Sequence, residues 1–314
     1  MADVASLAMP FFGLILLGFL CGRFATAAEG GLDWFNVYIV YVAVPALYFT
    51  LISRTPFEEL ANVDFIAITT GSTLTAFLIA LGIGLLASRG KLPEATIQAT
   101  AGSYSNVGYM GPGLTLAALG PAASAPTALI FVFDCMLLFT LVPFLMSVAS
   151  DRRESLWATA ALVVRRIALH PFNIATLIGG LAAYFHYVPP KPVEQIVTLL
   201  SGSAAPCALF VLGVTVALRP VRRVPVELPA LLFVKLIAHP LIVYGALTLV
   251  GGFDRVWVAT AVLMASLPPA LNVFVMASQY RIYVERASST ILIGTVLSVV
   301  TVTGVLWLVV SGAL

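Results

Sequence analysis

The sequence has few charged residues. Only 10% of its 314 residues are Asp, Glu, Lys or Arg, whereas a soluble domain carries about a quarter. Hydrophobic residues make up 61%, and the mean hydropathy is +1.05. A formal net charge of +2 from dispersed basic residues argues against a nucleic-acid-binding surface. The composition therefore predicts a membrane protein.

Cysteines and catalytic motifs are also scarce. Cys21, Cys135 and Cys207 lie in separate apolar runs without paired or metal-ligand spacing, which argues against disulfides and a zinc site. No His-Glu-x-x-His, Gly-x-Ser-x-Gly or Walker-type phosphate loop occurs, and Asp134 has no second carboxylate beside it in the same apolar run. An intramembrane enzyme and direct ATP drive are therefore disfavoured, and neither a cofactor nor a metal is predicted.

Apolar stretches fill most of the chain. A membrane-spanning helix needs about 20 mainly apolar residues, and ten segments fit. They lie at residues 7–24, 34–53, 63–88, 93–119, 125–149, 167–187, 193–218, 228–251, 256–279 and 287–312. The longest connection, 150–166, is too short for a folded extramembrane domain. The segments predict an all-α membrane protein whose function lies within its spans.

The basic residues predict the orientation of the chain. Connections after odd-numbered spans hold twelve of the sixteen Lys and Arg residues, and the opposite side holds three. Cytoplasmic loops carry the positive excess. We therefore expect both termini on the non-cytoplasmic side of the membrane.

The two halves of the sequence resemble each other. An offset of 161 residues pairs Pro10 with Pro171, Gly18 with Gly179, Pro45 with Pro206 and Phe49 with Phe210. Each half, 1–149 and 167–314, would hold five spans, with 150–166 as the cytoplasmic connection. Because five is odd, the halves would have opposite orientations, as in many secondary transporters. The sequence thus predicts a five-plus-five inverted repeat.

Helix-breaking residues interrupt the fourth and ninth spans. The fourth contains "GSYSNVGYMGPGLTLAALG" (102–120) and the ninth "SLPPALNVFVMASQY" (266–280). At about 1.5 Å per residue, Asn106 lies roughly 20 Å along its span and Pro268 roughly 18 Å along its own. Unpaired backbone at that depth is tolerated only inside protein or beside a wet cavity. We expect the two breaks to cross near the midplane and present backbone polar groups to one ligand.

These two segments resemble the signature segments of the auxin efflux carrier family, which includes plant auxin exporters and bacterial carriers proposed for malonate and malate. The likeness is nearer to the bacterial branch and covers essentially the whole chain. It implies an elevator-type carrier with a scaffold domain (spans 1, 2, 6 and 7) and a transport domain (spans 3–5 and 8–10). It also implies a homodimer in the bacterial inner membrane.

The resemblance assigns several positions. Asn106 matches the asparagine beside the first crossing, Gly111 matches the glycine of the following Met-Gly, and Pro268 matches the break of the ninth span. Ser105 stands where a proline commonly precedes the asparagine, and Pro112 comes later. The helix is therefore expected to unwind either at Ser105 or nearer Pro112.

The candidate substrate-binding residues surround these breaks. They are Tyr104, Ser105, Asn106, Gly111, Pro268, Pro269 and Asn272. Each asparagine amide offers two N–H donors and one acceptor, which suits a carboxylate without adding a full charge. The alternative for Asn106 and Asn272 is a hydrogen bond to a neighbouring helix.

Three ionisable residues inside spans are candidates for coupling or gating. Asp134 lies within the fifth span, where a carboxylate needs a partner, a cavity or a proton; its alternative role is a structural hydrogen bond. Lys235 and His239 are four residues apart and share a helical face. An alternative for Lys235 is to extend to the cytoplasmic membrane surface.

The sequence therefore favours a secondary transporter of small organic anions, malonate-like, malate-like or auxin-like. The expected partners are a carboxylate, the lipid bilayer and a coupling proton or sodium ion, and no nucleic acid. The alternatives are an ion-coupled symporter of another amphipathic acid and a channel or sensor on the same scaffold.

Overall fold

The protein is helical throughout its described part. The computed structural model describes residues 2–24, 31–149, 165, 168–169, 171–218, 224 and 226–314. These residues form α-helices, two π-helical turns and one 3-10 turn, without a β-strand. The predicted all-α class is confirmed for this part of the chain. The predicted connection 150–166 lies outside the described residues, apart from Arg165.

Eight α-helices lie in the first half. They are α1 (Ala2–Phe24), α2 (Gly31–Tyr38), α3 (Val44–Ser53), α4 (Phe57–Leu60), α5 (Val63–Ala87), α6 (Leu92–Ser103), α7 (Gly111–Leu119) and α8 (Ser124–Val148). Seven follow among the described residues of the second half. They are α9 (Pro171–Tyr184), α10 (Lys191–Leu218), α11 (Leu228–Phe233), α12 (His239–Val250), α13 (Arg255–Ser266), α14 (Asn272–Tyr280) and α15 (Val284–Ser311).

Seven helical stretches in the described part are long and apolar enough to cross a membrane. They are Ser6–Phe24, Gly31–Ser53, Phe57–Ala87, Pro121–Val148, Lys191–Leu218, Leu228–Val250 and Val284–Ser311. Two further apolar helices, Pro171–Tyr184 and Arg255–Ser266, are shorter. Seven of the predicted spans thus have a long helical counterpart, and the ten-span arrangement stays a prediction.

Each π-helical turn is followed by a proline. The turn Ile39–Ala43 joins α2 to α3 just before Pro45, and the turn Val234–Ala238 joins α11 to α12 just before Pro240. A proline ring clashes with the carbonyl four residues earlier. A wider turn relieves that clash and changes the direction of the side chains that it carries.

The predicted fourth and ninth spans are interrupted in the same way. The fourth consists of α6, with 12 residues, and α7, with 9 residues. The ninth consists of α13, with 12 residues, and α14, with 9 residues. The two broken helices therefore have halves of matching length, in matching order.

The chain groups into two compact units. The first unit comprises Met1–Val63, Val107–Val132 and Leu169–Pro220. Its α1 and α10 approach at backbone distance, because a Cβ built on Gly18 would lie 2.1 Å from the Phe210 carbonyl oxygen. A Cβ on Gly213 would lie 2.0 Å from the Ile15 carbonyl oxygen. Only glycine fits at these two positions of the helix pair.

The second unit comprises Asp64–Asn106, Phe133–Ala168 and Val221–Leu314. Here too, small residues admit close contacts. A Cβ on Gly102 would lie 2.6 Å from the Ala80 Cβ, which brings α6 against α5. A Cβ on Gly294 would lie 2.7 Å from the Pro269 Cδ, which brings α15 against the break between α13 and α14.

Candidate functional site

Two non-helical backbone segments pair with each other in the second unit. The Asn106 N–H donates to the Pro268 carbonyl at 2.9 Å, and the Ala270 N–H donates to the Tyr104 carbonyl at 3.0 Å. The two bonds form an isolated antiparallel bridge. We call residues 104–106 and 268–270 the crossing. The interruptions of the predicted fourth and ninth spans therefore meet there.

The helix before the crossing unwinds at a defined point. Helix α6 ends at Ser103, and α7 begins only at Gly111, so Asn106 lies on unwound backbone. Pro112 falls in the first turn of α7, where its missing N–H breaks no helical bond. Of the two points that the sequence left open, the structure has the interruption beginning beside Ser105.

The prolines of the ninth span free a carbonyl group at the crossing. In an unbroken helix the Ala265 carbonyl would accept the N–H of residue 269, but Pro269 has no N–H. Two side chains replace that donor: the Lys235 ammonium donates to the Ala265 oxygen at 2.5 Å, and the Ser105 hydroxyl donates at 3.3 Å. The orphaned carbonyl is thus satisfied by residues from two other segments of the chain.

Asn106 has a hydrogen-bonded backbone N–H and a side-chain Nδ2 without a partner. Its residue is 2% exposed, and its Nδ2 atom is buried without a hydrogen-bond partner. A buried donor without an acceptor costs about 1–3 kcal/mol. The Asn106 amide therefore has an N–H donor that no group in the described part of the chain accepts.

Asn272 and Tyr104 are linked through their side chains. The Asn272 Nδ2 donates to the Tyr104 hydroxyl at 3.4 Å, and that hydroxyl also lies 3.2 Å from the Cys135 sulfur. The Tyr104 ring is buried and meets the Phe139 ring edge-on, with centroids 6.5 Å apart. The structure thus gathers both candidates at the crossing, with Asn272 at the start of α14.

Gly111 falls in the first unit, unlike the other candidates. It is the first residue of α7 and is buried. Pro268 and Pro269 belong to the crossing itself and are also buried. The sequence-based candidates from the second unit are therefore the ones that the structure brings together.

The three ionisable candidates form one buried cluster in the second unit. Asp134 is 3% exposed, Lys235 0% and His239 1%. The His239 Nδ1 lies 3.4 Å from the Lys235 ammonium, and its Nε2 lies 3.3 Å from the Thr73 hydroxyl. Thr73 is also a hydrogen-bond partner of Asp134, whose Oδ1 atom has no partner.

Lys235 does not extend to a membrane surface. Its side chain is fully buried, and its ammonium donates to the Ala265 carbonyl beside the crossing. The reason is local: the π-helical turn Val234–Ala238 carries Lys235, and the freed carbonyl offers it an acceptor. Lys235, a coupling candidate, and Ser105, a substrate-binding candidate, therefore donate to the same carbonyl oxygen.

The sequence reasoning missed two members of this arrangement. Thr73 joins Asp134 to His239, but a threonine inside an apolar helix carries no sequence signal of its own. Ala265 had a usable signal, because a proline four residues later predicts a free carbonyl.

A second polar cluster, centred on the buried Glu227, lies at the start of α15. The Tyr283 hydroxyl donates to the Glu227 carboxylate, and the Arg286 guanidinium lies 3.6 Å from the same carboxylate. Burial and the neighbouring Glu227 raise the pKa of Tyr283 well above its ordinary value, so it remains a donor. Arg281 and Tyr283 have positive φ angles of 56° and 60°. The cluster therefore holds a strained turn in place.

No group of three or more His, Cys, Asp and Glu residues within the described ranges is arranged to hold a metal ion. All three cysteines are free thiols.

Known proteins with similar sequences are transporters. A family model described as "Membrane transport protein" matches residues 4–306. A "Putative malonate transporter" of Rhizobium meliloti is 49% identical over 314 residues, which is 100% of this chain and 98% of the relative. An "Uncharacterized transporter" of Methanothermobacter thermautotrophicus is 28% identical and covers 95% of both chains.

A plant protein matches over a shorter region. "Auxin efflux carrier component 6" of Arabidopsis thaliana is 26% identical over 144 residues, which is 44% of this chain and 25% of the plant protein. The resemblance inferred from the two broken spans is thereby confirmed. The chain belongs to the membrane transport protein family, the family of the auxin efflux carriers, and is a transmembrane transporter.

Proposed function

We propose that the protein is a secondary active transporter that carries small organic anions, carboxylates above all, across the bacterial cytoplasmic membrane. The observation that carries this proposal is the buried, unpartnered Nδ2 amide of Asn106 beside the crossing. A substrate carboxylate would accept its N–H and so remove the cost of an unsatisfied donor. Hydrogen bonds to a charged acceptor are about twice as strong as neutral ones.

Asn272 supplies a second contact in this proposal. It begins α14, and the N-terminal end of a helix carries partial positive charge that favours an anion. Its Nδ2 is anchored on the Tyr104 hydroxyl, which holds the amide in one orientation. Ser105, Pro268 and Pro269 shape the backbone around the substrate.

The relatives suggest which carboxylate to try first. The 49% identical full-length relative is named for malonate, whereas the relative named for auxin matches less than half of the chain. Malonate is therefore the first substrate to test. Malate and an aromatic monocarboxylate test the other two classes.

Two structural correspondences support the five-plus-five inverted repeat. In the crossing, exchanging Tyr104 with Pro268 and Asn106 with Ala270 turns one backbone bond into the other. Both exchanges join residues 164 apart, three more than the offset of the first two spans in each half. The matched 12- and 9-residue halves of the broken helices agree with this exchange.

The second correspondence lies in the first unit. A Cβ on Gly18 would meet the Phe210 carbonyl oxygen, and a Cβ on Gly179 would meet the Phe49 carbonyl oxygen at 3.3 Å. At an offset of 161, Gly18 corresponds to Gly179 and Phe49 to Phe210. One helix contact therefore maps onto the other, as a two-fold repeat requires.

In this proposal, transport proceeds by alternating access of the elevator type. The domain with spans 3–5 and 8–10 carries the substrate, and spans 1, 2, 6 and 7 form the scaffold and the homodimer contact. An inverted repeat favours two mirror-related states over a fixed pore. A channel or a non-transporting sensor is the alternative, and saturable counterflow in proteoliposomes separates a carrier from both.

Substrate binding is tested by thermal unfolding of the purified protein in detergent. We expect malonate at saturating concentration to raise Tm by about 2–4 °C, as ligand binding to the folded state does. Asn106→Ala should weaken the apparent affinity at least about tenfold, because a charge-assisted hydrogen bond is lost. Asn36→Ala, the same change in α2, is the matched control and should leave the affinity unchanged.

Two outcomes would contradict the proposal. One is full ligand stabilisation of Asn106→Ala, which would remove Asn106 from the site. The other is the absence of saturable uptake for every carboxylate tested in wild-type proteoliposomes, which would remove the transport function.

A further inference from the structure

The carbonyl of Ala265, beside the crossing, accepts a hydrogen bond from a cationic side chain. Pro269 deprives it of its helical donor, and it lies at the end of α13, where the helix dipole adds negative potential. A backbone carbonyl and neighbouring hydroxyls are the oxygen ligands that hard cations select. In the structure the Lys235 ammonium occupies this position, 2.5 Å from the Ala265 oxygen.

Burial disfavours a positive charge on Lys235, and the nearby Asp134 opposes that effect electrostatically. The His239 Nδ1 lies 3.4 Å from the ammonium. Among the residues that the structure describes, Lys235 is the one Lys or Arg side chain in the buried class. Burying an ammonium is costly unless it is paired and hydrogen-bonded. A hydrophobic or amide side chain would satisfy packing there at lower cost, so the charge itself requires an explanation.

We propose that Lys235 is a tethered cation that takes the place of a coupling sodium ion at the crossing. Its ammonium donates to the freed Ala265 carbonyl and attracts the substrate carboxylate toward the neighbouring residues Ser105 and Asn106. Because the cation belongs to the chain, the carrier needs no sodium ion to assemble its binding site. This inference rests on the proposed function for the substrate, but the cation site itself has its own test.

The first experiment measures the cation site without transport. Wild-type protein and Lys235→Ala are unfolded thermally in sodium chloride and in choline chloride of equal ionic strength. We expect the wild-type Tm to be the same in both salts. Lys235→Ala empties the site, so sodium should raise its Tm by about 3 °C or more relative to choline.

Lys91→Ala is the matched control for this experiment, because Lys91 is exposed and paired with Glu94 at the start of α6. Its Tm should show no difference between the salts. Sodium stabilisation of the wild type would overturn the inference, and so would Lys235→Ala protein that unfolds identically in both salts. If Lys235→Ala does not fold, the wild-type comparison of the two salts and the malonate uptake of Lys235→Gln decide.

The second experiment measures malonate uptake into proteoliposomes. Wild-type uptake should change less than twofold when sodium is replaced by choline. Lys235→Gln keeps a donor for the Ala265 carbonyl but removes the charge, and its uptake should fall at least tenfold. Methylammonium should partly restore the uptake of Lys235→Ala, which a merely structural role would not allow.

The outcomes separate this inference from the proposed function. Sodium-dependent wild-type uptake, or wild-type rates in Lys235→Gln, would overturn the tethered cation while leaving a carboxylate carrier intact. An unchanged affinity in Asn106→Ala would overturn the substrate site while leaving the salt comparison of Tm values valid.

Discussion

Asp134 and Lys235 place opposite charges in the same buried cluster. While Asp134 is ionised, it offsets the attraction of the Lys235 ammonium for an anionic substrate. A proton on Asp134 removes that offset, and an asparagine at this position mimics the protonated state at every pH. Since the Asp134 Oδ1 has no hydrogen-bond partner, replacing that oxygen by an amide nitrogen breaks no hydrogen bond at this atom.

We therefore predict that Asp134→Asn makes malonate uptake less dependent on pH. The ratio of mutant to wild-type uptake should rise with pH, because only the wild type gains a negative charge when its carboxyl group loses a proton. The ratio is the quantity to measure, since titration of the substrate cancels in it. Asp64→Asn, at the exposed start of α5, is the control. A constant ratio would exclude Asp134 from the coupling mechanism.

At the residue scale, the sequence predicts what depends on local chemistry. Pro268 and Pro269 remove two consecutive helical N–H donors, so an interruption of the ninth span follows from this pair of residues. The position of the Lys235 ammonium does not follow in this way. It depends on a π-helical turn in its own span and on a carbonyl freed in another span. The distance of Lys235 from the helix end therefore could not decide between a buried ammonium and one that extends to the membrane surface.

At the scale of the helix, α15 packs against the crossing through Gly294. A Cβ there would lie 2.7 Å from Cδ and 2.9 Å from Cγ of Pro269. The Pro269 ring has little freedom to move, because the residues on both sides of it are hydrogen-bonded across the crossing. The close approach of α15 therefore requires a glycine at this position.

We predict that Gly294→Ala destabilises the protein by about 1–3 kcal/mol, the usual cost of overpacking a core. The measurement is the free energy or temperature of unfolding, together with malonate affinity, which should also fall. Gly304→Ala lies in the same helix with no atom within 4 Å of its Cβ. That control should be neutral or slightly stabilising, because alanine favours a helix over glycine. Equal effects of the two changes would contradict the packing argument.

The sequence predicted that the fourth and ninth spans are interrupted, but only partly where each interruption lies. The asparagine, glycine and proline residues of the fourth span predict an interruption, and α6 and α7 confirm that one exists. Its position between Ser103 and Gly111 does not follow from Pro112, because a proline in the first turn of a helix is harmless. The pairing of backbone with the other break decides the position, and that contact joins residues 164 apart.

At the scale of the whole molecule, sequence halves and compact units differ. The repeat divides the chain near its middle, whereas each compact unit combines three segments from both halves. The sequence offset compares residues of the two halves by type and not by spatial contact, so it predicts the repeat and not the compact units. Which spans pack together depends on close approaches such as Gly18 against Phe210, and small residues alone do not specify their partners.

The charge distribution leads to a prediction about the whole chain in its membrane. Twelve of sixteen basic residues lie in the connections after odd-numbered spans, which predicts that Lys91 is cytoplasmic and Lys191 is external. Both residues are exposed, so a cysteine at either position would be reachable from its own side. The three native cysteines are replaced by alanine beforehand, and malonate uptake shows that this background is functional.

In intact cells, a membrane-impermeant maleimide should label Lys191→Cys and leave Lys91→Cys unlabelled. Permeabilising the cells should expose Lys91→Cys, which shows that its thiol was reactive but shielded by the membrane. The reverse pattern would invert the orientation of both halves. Labelling of both positions in intact cells would mean that an odd number of crossings does not separate them, and the count of ten spans would then be wrong, because residues 91 and 191 are separated by three predicted spans.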